Sequence, residues 1–302
     1  MNILVTGGTS TLGKHLKQFL PNAIYLSSKD CNLIDYDATL KTFSSYNPDI
    51  IIHLAALVGG IIDNINRPVE YLENNIYINT NVIKCAYKVG VKKLIALSST
   101  CIYPDNHPVY PMEEKHMFDG PPTSTSFYYA YSKRCMVSQI DAYNKQYNTE
   151  YCYISPSNLY SELDTHKLER AHFITALLNK IINQEKIKST QLNLIGTGKA
   201  TRQFTYAGDV AKLIKMMVDN NIYQSFNVSN PQIISINDLA KNTLKILNKE
   251  NWNIKYNHPE MDGQLKKAVS IDKMLTLFPN FTFTEFGDII KLIYNQMKTN
   301  IK

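Results

Sequence analysis
The chain has 302 residues, a net charge of +6, and 44% hydrophobic against 19% charged residues, which allows a large core in one or two lobes and is ordinary for a soluble globular protein. No apolar run approaches membrane-spanning length, and the lysines are too dispersed for a nucleic-acid footprint. The opening MNILVTGG enters a strand pattern with no basic segment ahead of it, so no signal peptide, membrane association or nucleic-acid partner is expected.

Asn2 to Thr6 reads as a buried strand, Gly7, Gly8 and Gly13 as a turn, and Leu12, Leu16, Phe19 and Leu20 as one face of a helix. Strand, glycine turn and helix make a dinucleotide-binding unit, in which the backbone approaches a pyrophosphate and the helix N-terminus offers N–H groups. An ordinary strand-to-helix turn has the same look. In Gly-x-x-Gly-x-x-Gly spacing the middle position is Ser10, which fits if its φ is negative. Ala23 to Leu26 is a second strand, running into Ser27, Ser28 and Lys29 where an NAD site would place a carboxylate. Two hydroxyls and a cation suit a 2′-phosphate, while Asp30 pulls the other way. Asp49 to Leu54 is a third strand, apolar enough to be covered on both faces, and Ala55 and Ala56 are small enough to lie against a cofactor. Gly59 to Ile61 reads as a loop. Tyr71 to Val89 reads as a helix stopped at Gly90, and Lys92 to Leu97 as the strand that delivers Ser99.

Pro104 to Pro122 is a proline-punctuated loop with His107 and His116 expected to face solvent. Phe127 to Tyr147 is a helix on which Tyr129 and Lys133 stand at i and i+4, one turn apart on one face. A lysine ammonium there should lower the tyrosine pKa, so that the phenol exchanges a proton with a substrate oxygen that Ser99 also holds. Ser, Tyr and Lys are what hydride chemistry at a carbonyl needs beside a nicotinamide. With 20 tyrosines in the chain, Tyr-x-x-x-Lys also arises by chance; the dinucleotide unit upstream and the serine at a strand end give it weight. Tyr151 to Ser155 is the next strand, and the alternation predicts an α/β fold with a doubly wound parallel sheet. Beyond Pro156 the pattern is less regular. Helices are expected at His172 to Ile182, Ile236 to Leu247 and Phe286 to Met297, and short strands at Leu192 to Ile195 and Phe226 to Val228. Arg202 to Tyr206 and Asp209 to Val218 read as a strand and helix returning to the sheet. Five cysteines, without a Cys-x-x-Cys pair, read as free thiols of a reducing cytoplasm, with no disulfide framework and no metal.

The blocks HLAALVGGI, NNIYINTNVIKCAYKVGVKKL, LSSTCIYP, Tyr-x-x-x-Lys, SNLY and GTGKATRQF together resemble the GDP-L-fucose synthase family of extended short-chain dehydrogenases/reductases. The likeness runs from Met1 to about Asp209, and LVGGI and STCIYP are its specific parts. It implies a Rossmann domain, residues 1–156 plus about 206–229, that binds NADP(H). It implies a smaller C-terminal α/β lobe, about 157–205 plus 230–302, that takes a GDP-linked 4-keto-6-deoxy sugar, and a homodimer. It assigns reduction to Ser99, Tyr129 and Lys133, and proton exchange beside the ketone to Cys101 and His172. Cofactor contacts are implied at Gly7, Ser10, Thr11, Leu12, Gly13, Lys29, Leu54, Ala55, Ala56, Lys133, Pro156, Asn158, Leu159 and His172. Substrate contacts are implied at Ser99, Thr100, Cys101, Tyr129, Asn158, Lys180, Arg202 and Lys266.

The chain departs from the family pattern at Ser10, at Ser161 where a glycine follows NLY, and in DGQLKK, which lacks a proline. Most of these departures touch the sugar side. They leave open a C4 reductase acting alone, on a hexose or a heptose, after a separate epimerase. A 4,6-dehydratase would want an acid pair at Thr100 and Cys101, and a 4-epimerase would keep NAD, against Lys29. A nucleotide sensor without catalysis should have lost Tyr129 or Lys133.

Overall fold
The β-branched runs ILVT and IIIH are buried along their whole length and lie side by side, covered on both faces by helices. The computed structural model describes residues 1–164, 173–259 and 263–299. In chain order its elements are β1 (Ile3–Thr6), α1 (Thr11–Phe19), β2 (Ile24–Leu26), α2 (Tyr36–Tyr46), β3 (Ile50–His53), α3 (Ile61–Asn66), α4 (Pro68–Lys88), β4 (Lys93–Leu97), α5 (Phe127–Tyr147), β5 (Glu150–Pro156) and β6 (Asn158–Tyr160). They continue with α6 (Phe173–Lys186), β7 (Gln191–Ile195), β8 (Thr201–Arg202), β9 (Phe204–Tyr206), α7 (Ala207–Asp219), β10 (Phe226–Val228), β11 (Ile234–Ser235), α8 (Ile236–Ile246), β12 (Asn253–Asn257), α9 (Asp272–Leu277) and α10 (Phe286–Thr299).

Six parallel strands form the central sheet in the order β10-β5-β4-β3-β1-β2. The order turns back at β1, so the crevice between the ends of β1 and β3 is the switch point where such sheets bind ligands. One apolar cluster packs α1 and α7 on one face, and a second packs α2, α4 and α5 on the other. A third, built from α6, α8, α10, β7 and β12, is the core of a smaller lobe.

Two expectations change. Arg202 to Tyr206 does not return to the central sheet: β8 pairs with β11 and β9 with β6, and the chain comes back through α7, packed on α1, and β10. His107 and His116 are half-buried and held by neighbours. Their rings lie 4.5 Å apart, and His107 Nε2 is 3.1 Å from the Asp119 carboxylate. His116 Nδ1 accepts the Glu113 N–H at 3.0 Å, which places its proton on Nε2 and leaves that nitrogen no lone pair for a metal. Among the described residues, no helix is long and apolar enough to cross a membrane.

Candidate active site
A cavity of about 910 Å³ opens over the ends of β1, β3, β4 and β5 and extends to the smaller lobe. Gly7, Ser10, Thr11 and Leu12 line it from the first turn. Gly7 has φ +72°, and a Cβ there would lie 2.7 Å from the Ala55 nitrogen, so the turn admits only glycine. A Cβ on Gly13 would lie 2.7 Å from the Gly7 carbonyl, which is why α1 can start so close to β1. Ser10 has φ −65° and caps α1, its hydroxyl accepting the Gly13 N–H at 3.1 Å. The serine is therefore accommodated by becoming the cap. Among the described residues no acceptor faces the N–H groups of Thr11 and Leu12, and the positive end of α1 opens on the cavity.

Leu54, Ala55 and Ala56 line the next stretch, and Pro156, Asn158 and Leu159 a further one. Ser27 and Ser28 also line it, while Lys29 is exposed beside them and outside the lining. The Asp30 carboxylate is folded onto Ser27, accepting from its N–H at 2.8 Å and its hydroxyl at 2.6 Å. One buried hydroxyl in the wall, Ser98, has no hydrogen-bond partner among the described residues, while that of Ser126 faces the Cys101 sulfur. Buried polar groups are almost always paired, so this wall is shaped for a polar ligand. Glycine cradle, open helix end and an orphaned hydroxyl together fit a dinucleotide lying beside a second polar molecule.

Ser99, Thr100, Cys101 and Tyr129 line the cavity together, and Lys133 is buried beneath them. Burial, with the neighbouring Cys101, holds the Tyr129 phenol well above its usual range, and Ser99 only partly offsets it. Lys133 does not depress Tyr129 as expected. Its Nζ donates to the Leu97 carbonyl at 2.8 Å, and burial lowers its own pKa to about 7. Below it, His53 bridges Thr6 (2.7 Å) and Asn79 (3.1 Å). Burial and the nearby Lys133 bring His53 down to about 3, so it stays neutral.

On the sugar side the structure redistributes the expected residues. Arg202 and Asn158 line the cavity, and Asn158 is held by a hydrogen bond to the Gln203 carbonyl at 2.9 Å. Lys180 lies outside the lining and donates to the Asn193 carbonyl at 3.1 Å. Lys266 also points away, its Nζ over the Tyr110 ring, into a separate cavity with Asn106, His107 and Pro108. Its neighbour Lys267 faces the main cavity, because successive side chains of an extended segment point to opposite sides. His172, the expected acid, lies outside the described residues. Ser161 ties the loop after β6 to α1, its hydroxyl 2.7 Å from His15 Nε2, a bond that glycine would lack.

The matching family model, described as the NAD dependent epimerase/dehydratase family, covers residues 3–229. A GDP-L-fucose synthase of Dictyostelium discoideum is 33% identical over 299 residues, covering 96% of this chain and 92% of that protein. The chain belongs to the GDP-L-fucose synthase family. A crystal structure of a GDP-L-fucose synthetase from Naegleria fowleri bound to NADP superposes with TM-score 0.87 at 31% identity, covering 99% of this chain and 93% of the other. A GDP-6-OMe-4-keto-L-xylo-heptose reductase from Campylobacter jejuni superposes with TM-score 0.88 over 99% of this chain and 98% of its own, but at 21% identity it shares the fold alone. The cavity is also lined by residues that sequence reasoning missed, namely Lys267, Gln264, Phe173 and Tyr71. Phe173 and Tyr71 lie outside a recognisable motif, and Gln264 and Lys267 lie in the segment where the family pattern is departed from. Only the alternation of DGQLKK could have separated Lys267 from Lys266.

Proposed function
We propose that the protein reduces the C4 ketone of a GDP-linked 4-keto-6-deoxy sugar with NADPH and epimerises C3 and C5 in the same cavity. The observation that carries this is that Ser99, Tyr129 and Cys101 line one cavity together with the turn that fits a dinucleotide. The turn after β1 and the N-terminus of α1 would hold the pyrophosphate, and Ser27, Ser28 and Lys29 would meet a 2′-phosphate. NADPH, when bound, supplies the hydride. Ser99 orients the ketone, and Tyr129, kept as a phenol by burial, is in the form that donates a proton to the forming alkoxide. Lys133 fixes the strand end through Leu97 beneath them.

Epimerisation needs a base beside the ketone, because the carbonyl acidifies the hydrogens on C3 and C5. Cys101 stands two residues after Ser99 on the same turn and takes that role, with His172 as the acid that returns a proton from the other face. Arg202 and Asn158 serve the nucleotide-sugar, from a substrate lobe of about 157–205 plus 230–302 against a cofactor domain of 1–156 plus about 206–229. The exposed Tyr77 on α4, with Tyr128 and Tyr131 on α5, supports a homodimer paired through these helices. Five free cysteines suit a cytoplasmic location. The test is turnover of GDP-4-keto-6-deoxymannose and its heptose counterparts with NADPH. Reduction of at least one supports the reading, and NADPH binding without turnover of any sinks it in favour of a sensor.

A further inference from the structure
Lys267 Nζ lies 3.2 Å from Cys101 Sγ, the distance of a charged hydrogen bond to sulfur. Among the described residues Lys267 pairs with no carboxylate. The backbone that carries it is held from several sides. Lys267 N–H donates to the Thr201 carbonyl at 3.3 Å. Gln203 bonds both polar groups of Val269, at 3.2 and 2.8 Å. Gln264 Nε2 donates to the Pro104 and Asp105 carbonyls, at 3.1 and 2.8 Å, just beyond the turn that bears Cys101. Both ends of the contact are therefore placed before any substrate arrives. Cys101 in turn is anchored by its own N–H, which donates to Ser99 Oγ at 3.2 Å.

A thiol with an ordinary pKa of about 8.5 is mostly protonated near neutral pH, and a protonated thiol takes no proton from carbon. Burial pushes the Cys101 thiol higher still, but the Lys267 ammonium and the hydrogen bonds around the sulfur outweigh it, and the net direction is down. The titratable groups facing the sulfur are Lys267 and, across the wall, Tyr129.

We propose that Lys267 is a positioning residue for epimerisation, its ammonium holding the Cys101 sulfur as a thiolate beside Ser99 and Tyr129. The inference rests on the epimerase reading above. The thiolate takes a proton from the carbon next to the ketone, forming S–H as C–H breaks and its electron pair passes into the enolate. A proton returned to that carbon from the other face completes the inversion, and the thiol gives up its own to solvent. Nothing is oxidised or reduced, and the lysine keeps its charge throughout.

The test has two arms, each run on the native protein, Lys267→Met and Lys267→Arg, with thermal melting as a check on folding. The first follows iodoacetamide alkylation of Cys101 against pH by mass spectrometry, with Cys101→Ser to assign the site. The native midpoint should lie below that of a free thiol. Lys267→Met should raise it by a unit or more, about tenfold in thiolate at neutral pH, and Lys267→Arg should restore it. The second arm follows deuterium exchange at C3 and C5 in D₂O. The exchange kcat should fall at least about tenfold further in Lys267→Met than the kcat for reducing a pre-epimerised ketone. An unmoved alkylation midpoint, or an exchange rate that falls only with reduction, overturns this inference alone. A native enzyme that exchanges no deuterium overturns the epimerase reading, and this role with it, even where the alkylation arm still reports the ion pair.

Discussion
Ser99, Tyr129 and Lys133 come from the end of β4 and the first turns of α5, two elements that follow one another in the chain. Cys101, Arg202 and Lys267 meet only because segments far apart in the chain converge over the cavity. The reductase wall is a local motif on rigid elements backed by a buried polar network. The sugar wall is a product of tertiary packing, and its Cys101 sulfur accepts a hydrogen bond from a residue 166 positions away. One wall can thus be recognised as a pattern, while the other exists only once the lobes are assembled.

Removing the phenol gives the sharpest break on the reductase side. Tyr129→Phe should lose about 10²–10⁴-fold in reduction rate while still binding NADPH by fluorescence titration. Turnover close to native would take Tyr129 out of the mechanism.

The network under that wall gives a stability signature. His53 has a folded pKa of about 3 against 6.5 for the free side chain. Between these values the unfolded chain binds the proton and the folded one does not. This contribution is therefore complete above about 6.5 and is lost as pH falls toward about 3, by roughly 4–5 kcal/mol in all. Denaturant unfolding across that window should show the loss for the native protein and a flatter profile for His53→Gln. Parallel profiles would remove His53 as the source.

On the opposite wall, Cys101→Ser should cut deuterium exchange at C3 and C5 by ~10²-fold or more, and reduction of a pre-epimerised substrate by much less. Equal losses in both would merge the two walls into one function. The smallest effect belongs at the cavity rim. Because Lys29 is exposed, Lys29→Glu should weaken NADPH roughly tenfold in Kd and leave NADH nearly unchanged. Equal native affinities for the two cofactors would refute that assignment.

The same contrast governs what the sequence made legible. β1, its glycine turn and α1 are readable because each local preference agrees with the fold, and Ser10 fits by capping the helix. α2 escapes because YDATLKTFSSY buries only Thr39 and Phe43 and shows no clear apolar stripe. α3 goes unread beyond the Gly59–Ile61 loop because IIDNIN is a short helix that buries no residue. Tyr129 lies on the predicted helix and lines the cavity, but its pKa moves opposite to the i,i+4 argument. Depth of burial outweighs the lysine, whose Nζ turns to Leu97. On the sugar wall a slip of one residue separates Lys266 from Lys267, and in an extended segment one residue is a change of face.

The most direct measurement is to give the native protein GDP-4-keto-6-deoxymannose and NADPH in D₂O, following nicotinamide absorbance and the product by NMR. A single cavity with both walls active predicts NADPH oxidation and a reduced sugar carrying deuterium at C3 and C5, inverted at both carbons. A reduced sugar with neither deuterium nor inversion would contradict the account of the Cys101 wall, and no oxidation with any 4-keto-6-deoxy substrate would contradict it for both.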